Sequence, residues 1–421
     1  MVEALDRGVS EGPDGLFEVR AVRVMRDLRE AFLGLIEGLP RSATGSASRS
    51  VTRAADLEKA LGVSRTLGWQ LHRLATTPDP LEAGLHVPGS AAVGQALRGA
   101  RSAGVGDERV ARAARAMEAF EALVAEHAGD RAAFNTMIGS LAGAEVESID
   151  LRTRREAFRV HSRVWGVQVK TFVACGVVHP GKDAEHDDMV FIRGMRDARW
   201  LRQGVPLQIS GYRLVDSESR PMHPSEGAGE PFAPGSALLR EFCSPDLPEI
   251  ETRVEDGNRF AFFRDAPLGN AGVTTVYLAD VMRDVRWRPT DGTAPSHVRS
   301  VSILKPISML VMDALIHRDT FRARRTSARV LGSLSRLGER DPGAFDEGDV
   351  LPVQPEFRHC GRGAGVLGTA HVPRYREMVE SVLGRLGWDP DAFDLYRCTL
   401  EYPLLSTTVE VRFDDLERGG A

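Results

Sequence analysis

Hydrophobic positions in the first third of the chain recur at helical spacing. Val24, Met25, Leu28, Phe32, Leu35 and Ile36 make one stripe over 22–37, which Gly38 and Pro40 end. Between 52 and 75 the period predicts two short helices. Ala54, Leu57, Ala60 and Leu61 line the first, Gly62 can take the left-handed conformation that ends it, and Val63 plugs the angle. Ser64 is a good N-cap for the second helix, whose Leu67, Leu71 and Leu74 share a face. Further helices are expected at about 91–103, capped by Ser90, at 107–127 and at about 130–142. In helix 107–127, Val110, Ala114, Met117, Phe120 and Val124 fall at heptad-like steps, which makes it a candidate dimerisation helix as well as a core element.

The pattern changes near Ile149. An arginine-rich helix over Leu151–Arg163 runs into a β-branched strand, Val167–Val178. Strands are also expected at 205–215, 260–264, 272–279, 299–304, 328–334 and 406–414, and helices at 306–317 and 373–386. Pro and Gly cluster at 221–235 and 287–296. Strands mixed irregularly with few helices predict an α+β body in place of a regular βαβ alternation. The expected fold is therefore multidomain. Residues 1–20 form a leader, 21–145 an all-α N-terminal domain, and 150–421 an α+β C-terminal body with a candidate subdomain split near 287–296.

Composition narrows the function classes. With 42% hydrophobic and 27% charged residues the chain is globular, and no run approaches 18 apolar residues, so no membrane partner is expected. The first residues show no basic segment followed by an apolar one, and Cys175, Cys243, Cys360 and Cys398 match no metal-ligand spacing, which fits reduced thiols in the cytoplasm. The net charge of −5 argues against a protein that coats nucleic acid through total charge. Locally the balance reverses. Residues 41–78 carry six cations (Arg41, Arg49, Arg53, Lys59, Arg65, Arg73) and two anions (Asp56, Glu58), a net of +4 around the second short helix.

Chemical motifs are sparse. The chain contains no GxxxxGK[ST], HExxH, GxSxG or CxxC. The loop Gly361, Gly363, Gly365, Gly368 has no helix opening on its last glycine, so it reads as surface loop before phosphate cradle. His179, His186, Asp187 and Asp188 read as a hydrophilic loop, and Asp313 and His317 share a face of helix 306–317 at i, i+4. No catalytic residue, metal or cofactor is assigned, and no enzyme activity is expected.

The stretch Asp56-Leu-Glu-Lys-Ala-Leu-Gly-Val-Ser-Arg-Thr resembles the reading heads of bacterial helix-turn-helix transcription regulators, in which DLA..LGVSRST is a common form. The resemblance covers about 25 residues, about 50 with helix 22–37, and implies a reading helix that starts at Ser64. It names no family for 150–421. A β-hairpin wing is not expected after residue 75, because Pro78 and Pro80 flank Asp79 and a Pro88-Gly89 turn follows. The expected DNA-contacting residues are Arg53, Ser64, Arg65, Thr66, Gly68, Trp69, Gln70 and Arg73, with Arg65 and Thr66 nearest the base edges and Gln70 suited to adenine. Trp69 has a second expected place, buried against helix 22–37. The first reading is thus a sequence-specific regulator that binds double-stranded DNA as a homo-oligomer, its body sensing an unidentified small-molecule effector or serving assembly. The alternative is an enzyme or small-molecule-binding protein whose N-terminal helices mediate assembly, for which a polar pocket in 150–421 is the discriminating feature.

Overall fold

In a computed structural model, the protein is described over residues 13–40, 53–142, 149–183, 186–210, 214–215, 221–222, 238–255, 258–264, 266–285, 296–332 and 347–418. The chain divides into two compact units, Met1–Glu147 and Ser148–Ala421. Most of 287–296, where a subdomain split was expected, lies outside the described residues. No described helix is long and apolar enough to cross a membrane.

The described residues of the first unit hold seven helices and no strand: α1 (Pro13–Glu37), α2 (Ala54–Leu61), α3 (Arg65–Thr76), α4 (Pro80–Gly84), α5 (Ser90–Ser102), α6 (Asp107–His127) and α7 (Arg131–Leu141). α1 starts well before residue 22. Pro13 suits a first helical position, where its missing N–H has no partner to lose. Phe17, in what was expected to be leader, packs edge-on against Phe134 at 6.2 Å and against His127 at 4.9 Å. Its apolar stripe is buried from Met25 to Ile36. α5 takes Gly89 as N-cap, so Ser90 is its first residue and not its cap. α6 turns Val110, Ala113, Met117, Phe120 and Leu123 inward and packs on α1. Val110, Met117 and Phe120 of the heptad set are therefore core of this unit, while Ala114 and Val124 are half-buried.

The second unit is built on a six-stranded sheet ordered β12-β13-β10-β1-β2-β8. The strands are β1 (Val167–Pro180), β2 (Asp187–Trp200), β8 (Thr274–Val285), β10 (Ile307–His317), β12 (Glu356–Arg362) and β13 (Phe393–Glu401). Only β1 and β10 pair parallel; every other neighbour is antiparallel. Segment 306–317, expected as a helix, is the central strand β10. Sheet neighbours on both sides and packing on both faces let a strand carry a nearly unbroken apolar run, which leaves no period to distinguish it from a buried helix.

One face of this sheet is covered by α9 (Tyr375–Arg385), through Tyr375, Met378, Val379, Val382 and Leu383. The other packs against a three-stranded sheet, β11 (Phe321–Leu331), β14 (Thr408–Arg418) and β9 (His297–Ser302), with Val330, Val409, Val411 and Phe413 inside. A smaller sheet joins β3 (Leu207–Ser210), β7 (Asn258–Phe263) and β6 (Ile250–Glu255), and β4 (Leu214–Val215) pairs with β5 (Pro221–Met222). The arginine-rich helix α8 (Leu151–Trp165) enters β1 through Gly166, which ends it at φ 71°.

Candidate nucleic-acid interface

α2 and α3 are joined by three residues. Gly62 sits at φ 62°, ψ 38°, a left-handed cap whose open surroundings show that the backbone, not crowding, calls for glycine there. Val63 is buried between the helices, and the Ser64 hydroxyl accepts a hydrogen bond from the Leu67 amide at 3.2 Å. At the start of α2 the Arg53 amide donates to the Asp56 carboxylate at 3.0 Å, and the Asp56 amide returns to the Arg53 carbonyl. Both helix starts are thus fixed by their own sequence.

Tertiary contacts then set the attitude of α3. Leu67, Leu71, Leu74 and Ala75 are buried in the common core with Leu57 and Leu61 of α2 and Leu28 and Phe32 of α1. Arg29 of α1 donates from Nε to the Thr77 carbonyl at 2.7 Å and so ties α1 to the C-terminal cap of α3. Gly68 is buried where α3 crosses α2; a Cβ there would lie 2.9 Å from the Ala54 carbonyl oxygen. Gly68 was expected on the DNA-facing surface. Instead it provides the close approach of two backbones and offers no contact to a ligand.

The opposite face of α3 is open. Arg65, Thr66, Trp69 and Arg73 are exposed and step along the helix at i, i+3/i+4 spacing, with Gln70 half-buried beside them. Trp69 is 48% exposed and meets the His86 ring edge-on at 5.4 Å, so it faces solvent and not α1. Arg53 is exposed at the start of α2, while Ser64 is exposed but its hydroxyl is taken by the cap. α3 contains no Asp or Glu, and Arg65 and Arg73 stand about 12 Å apart along it at 1.5 Å per residue. After α3, residues 78–89 hold the short helix α4 and its flanking turns, with no hairpin.

In the second unit the other candidate residues fall on β1, β2, β10 and the turn between β1 and β2. His179 stacks on Trp388 at 4.3 Å with 6° between the planes and lies 4.8 Å from the His317 ring. Burial lowers both imidazoles below their ordinary range. The His186 ring bonds Asp183 at 2.6 Å, and Asp188 is held by Arg283 at 2.6 Å and by the Asp284 amide at 3.0 Å. Asp187, at the start of β2, is buried. β1 and β2 place His179 opposite Asp188 in register, yet among the described residues no group of three or more His, Cys, Asp or Glu is placed to hold a metal.

Asp313 and His317 share a face of β10, but four strand steps separate them by about 13 Å. Asp313 is clasped by Arg397, with Nε to Oδ1 at 2.8 Å and Nη2 to Oδ2 at 2.7 Å, and accepts from the Tyr375 hydroxyl at 2.8 Å. Arg397 also donates from Nη1 to the Gly368 carbonyl at 2.7 Å and from Nη2 to the Leu367 carbonyl at 3.0 Å. The glycine-rich loop therefore turns its carbonyls toward a core guanidinium, which is the opposite of an anion cradle.

Burial drives the Tyr375 hydroxyl well above its usual range and pushes the neighbouring Cys175 thiol up to about 12. For Arg397 burial opposes the charge, yet its bonds to Asp313 outweigh that and raise it. The cluster is held together by internal partners, as a structural ion pair is. Sequence reasoning missed Arg397 and Lys305. The only signal for Lys305 is its rarity as one of four lysines in an arginine-rich chain.

No protein-family model matches the chain, and no curated protein matches it.

Proposed function

We propose that the chain is a sequence-specific DNA-binding transcriptional regulator, with α2 and α3 as a helix-turn-helix reading head and the mixed α/β body as its sensing or assembly module. One observation carries this reading. The acid-free face of α3 presents Arg65, Thr66, Trp69 and Arg73 to solvent while its other face is locked into the core. A helix so presented fits a major groove about 12 Å wide, its N-terminal residues toward base edges and its cations toward phosphates.

Arg65 and Thr66 lie at the end of α3 that enters first, Gln70 is placed to bond an adenine edge, and Arg53 and Arg73 flank them as phosphate contacts. Ser64 acts by holding the start of the helix, and Gly68 by setting its angle. The reading head is wingless. A homodimer would bring two such heads to a symmetric site.

Selection of bound sequences from random duplexes by the purified full chain tests the proposal. The expected result is enrichment of one motif. Recovery of unenriched sequence at all salt concentrations would overturn it.

A further inference from the structure

The second unit contains a cavity of about 210 Å³ where the end of α8, the start of β1, β3, β7 and the turn before β10 meet. Its apolar walls include Trp165, Val167, Leu207, Phe262, Leu304 and Pro306. Lys305 is the one charged residue lining it. Two apolar side chains at the cavity stand unusually far out of the protein, Trp165 at 54% and Leu304 at 66% exposure.

Lys305 is half-buried and donates from Nζ to the Gln208 carbonyl at 2.8 Å, with the Phe172 ring at 5.1 Å. An ammonium has three N–H donors. Two of them have no protein acceptor, and no carboxylate pairs with Lys305, among the described residues. A cation removed from water without a counter-ion is costly, and an anion supplied from outside relieves that cost.

We propose that this cavity binds a small monocarboxylate, its carboxylate on the Lys305 ammonium and one ring or branched aliphatic group against Trp165, Phe262 and Leu304. The volume is below the roughly 300–1,000 Å³ of pockets for drug-sized ligands, which limits the occupant to about one ring. Burial of the exposed Trp165 and Leu304 surface supplies the apolar share of the affinity. Lys305 supplies orientation and discrimination against uncharged isosteres. The site gives a chemical class to the effector of the proposed regulator, yet its test needs no DNA, so the two readings fail separately.

Burial brings the Lys305 ammonium down to about 8, and the nearby charge of Arg193 acts in the same direction. No other lining residue titrates. The cation that holds the carboxylate is therefore present at neutral pH and is lost as pH rises through 8.

Calorimetric titration of the full chain with benzoate, phenylacetate, isovalerate and acetate tests the site, with benzamide as the uncharged isostere. One-to-one saturable binding is expected for at least one of the larger acids, with benzamide at least tenfold weaker. Affinity should stay level from pH 6.5 to 7.5 and fall about tenfold per pH unit above 8. Lys305→Met should abolish binding. Leu304→Asp, at an exposed position that leaves the core intact, should weaken it tenfold or more by placing an anion at the mouth. Saturable binding by none of the acids, equal affinity for benzamide, or unchanged affinity in Leu304→Asp together with a flat pH profile would each overturn the proposal.

Discussion

Arg397 on β13 and Asp313 on β10 form a two-pronged ion pair inside the second unit, with side chains 4% and 0% exposed. Adjacent strands place them directly opposite each other in register, and the carbonyls of Leu367 and Gly368 accept two further bonds from the guanidinium. Removing one partner leaves the other as a buried unpaired charge, a change that costs about 3–5 kcal/mol. Arg397→Met and Asp313→Asn should therefore each lower the urea midpoint of the second unit's transition strongly. Tyr375→Phe, which removes a single hydrogen bond to Asp313, should cost about 1 kcal/mol. Equal losses from all three variants would show that the pair is not the linchpin of this face.

Gly68 leads to a prediction about the angle between α2 and α3. Its missing side chain lets the Ala54 carbonyl and the Glu58 amide approach to 2.9 and 3.2 Å of where a Cβ would stand. Gly68→Ala should force the helices apart at a cost of about 1–3 kcal/mol, and should weaken DNA binding without touching a contact residue. Gly94→Ala in α5 is the control. Its Cβ would meet only the Arg98 guanidinium at 3.5 Å, so helix propensity dominates and the variant should gain about 0.5–1 kcal/mol. Chemical denaturation of both variants separates backbone crowding from glycine's intrinsic cost.

What was legible in the sequence follows from how locally each element is determined. Gly62, Ser64 and the Leu67/Leu71/Leu74 spacing fix α2, the turn and α3 within about twenty residues, and the observed caps follow them. α9 was legible for the same reason, because one face is buried and the other wet. β10 was misread because Ile307–His317 is buried on both faces and its apolar residues show no period. β2 was missed because Asp187 is buried while Asp188, Arg193, Arg196, Asp197 and Arg199 are half-buried along it, so polarity does not mark a face. Arg397 sits inward on β13 only because Asp313, 84 residues away, neutralises it. The Lys305 cavity gathers side chains from residue 165 to 306, a convergence that no local window contains.

Buried His297 and half-buried His179 and His317 should lower stability on the acid side. Burial, with help from the Arg299 charge, holds His297 well below its usual 6.5, while its ring packs 5.3 Å from Phe321 and 6.0 Å from Phe413. Burial also lowers His179 and His317. Below about 6.5 the unfolded chain takes up protons that the folded chain refuses, so stability falls as pH falls, by up to about 1.4 kcal/mol per unit for a fully buried histidine. The urea midpoint should be level between pH 8 and 7 and decline from 6.5 to 5. His297→Gln, which cannot titrate, should flatten that decline. An identical slope in the variant would assign the decline to other groups.

Salt dependence gives the sharpest test of α3 as a reading helix. Each phosphate contact that a cation makes contributes about 0.9 to the slope of log affinity against log salt on B-form DNA. Arg73 is exposed on the last turn of α3, and Arg53 opens α2, so the proposed reading assigns both to the DNA backbone. Arg53→Ala and Arg73→Ala should each weaken binding to all duplexes alike and reduce the slope by about 1. Arg65 lies at the first residue of α3, next to the Ser64 cap. Arg65→Ala should cost about 1–3 kcal/mol on the selected motif and little on a scrambled duplex, because a base contact is lost only where the base is present. Trp69 separates the remaining readings. If its exposed ring packs against sugar or a thymine methyl, Trp69→Ala weakens motif binding; if it serves only to pack on His86, stability drops slightly and binding does not. Fluorescence anisotropy over a salt series, with the motif and its scrambled version, measures all four variants together. Loss of the same slope and the same affinity on both duplexes for every variant would leave α3 as a general cationic surface and remove it as the reader of sequence.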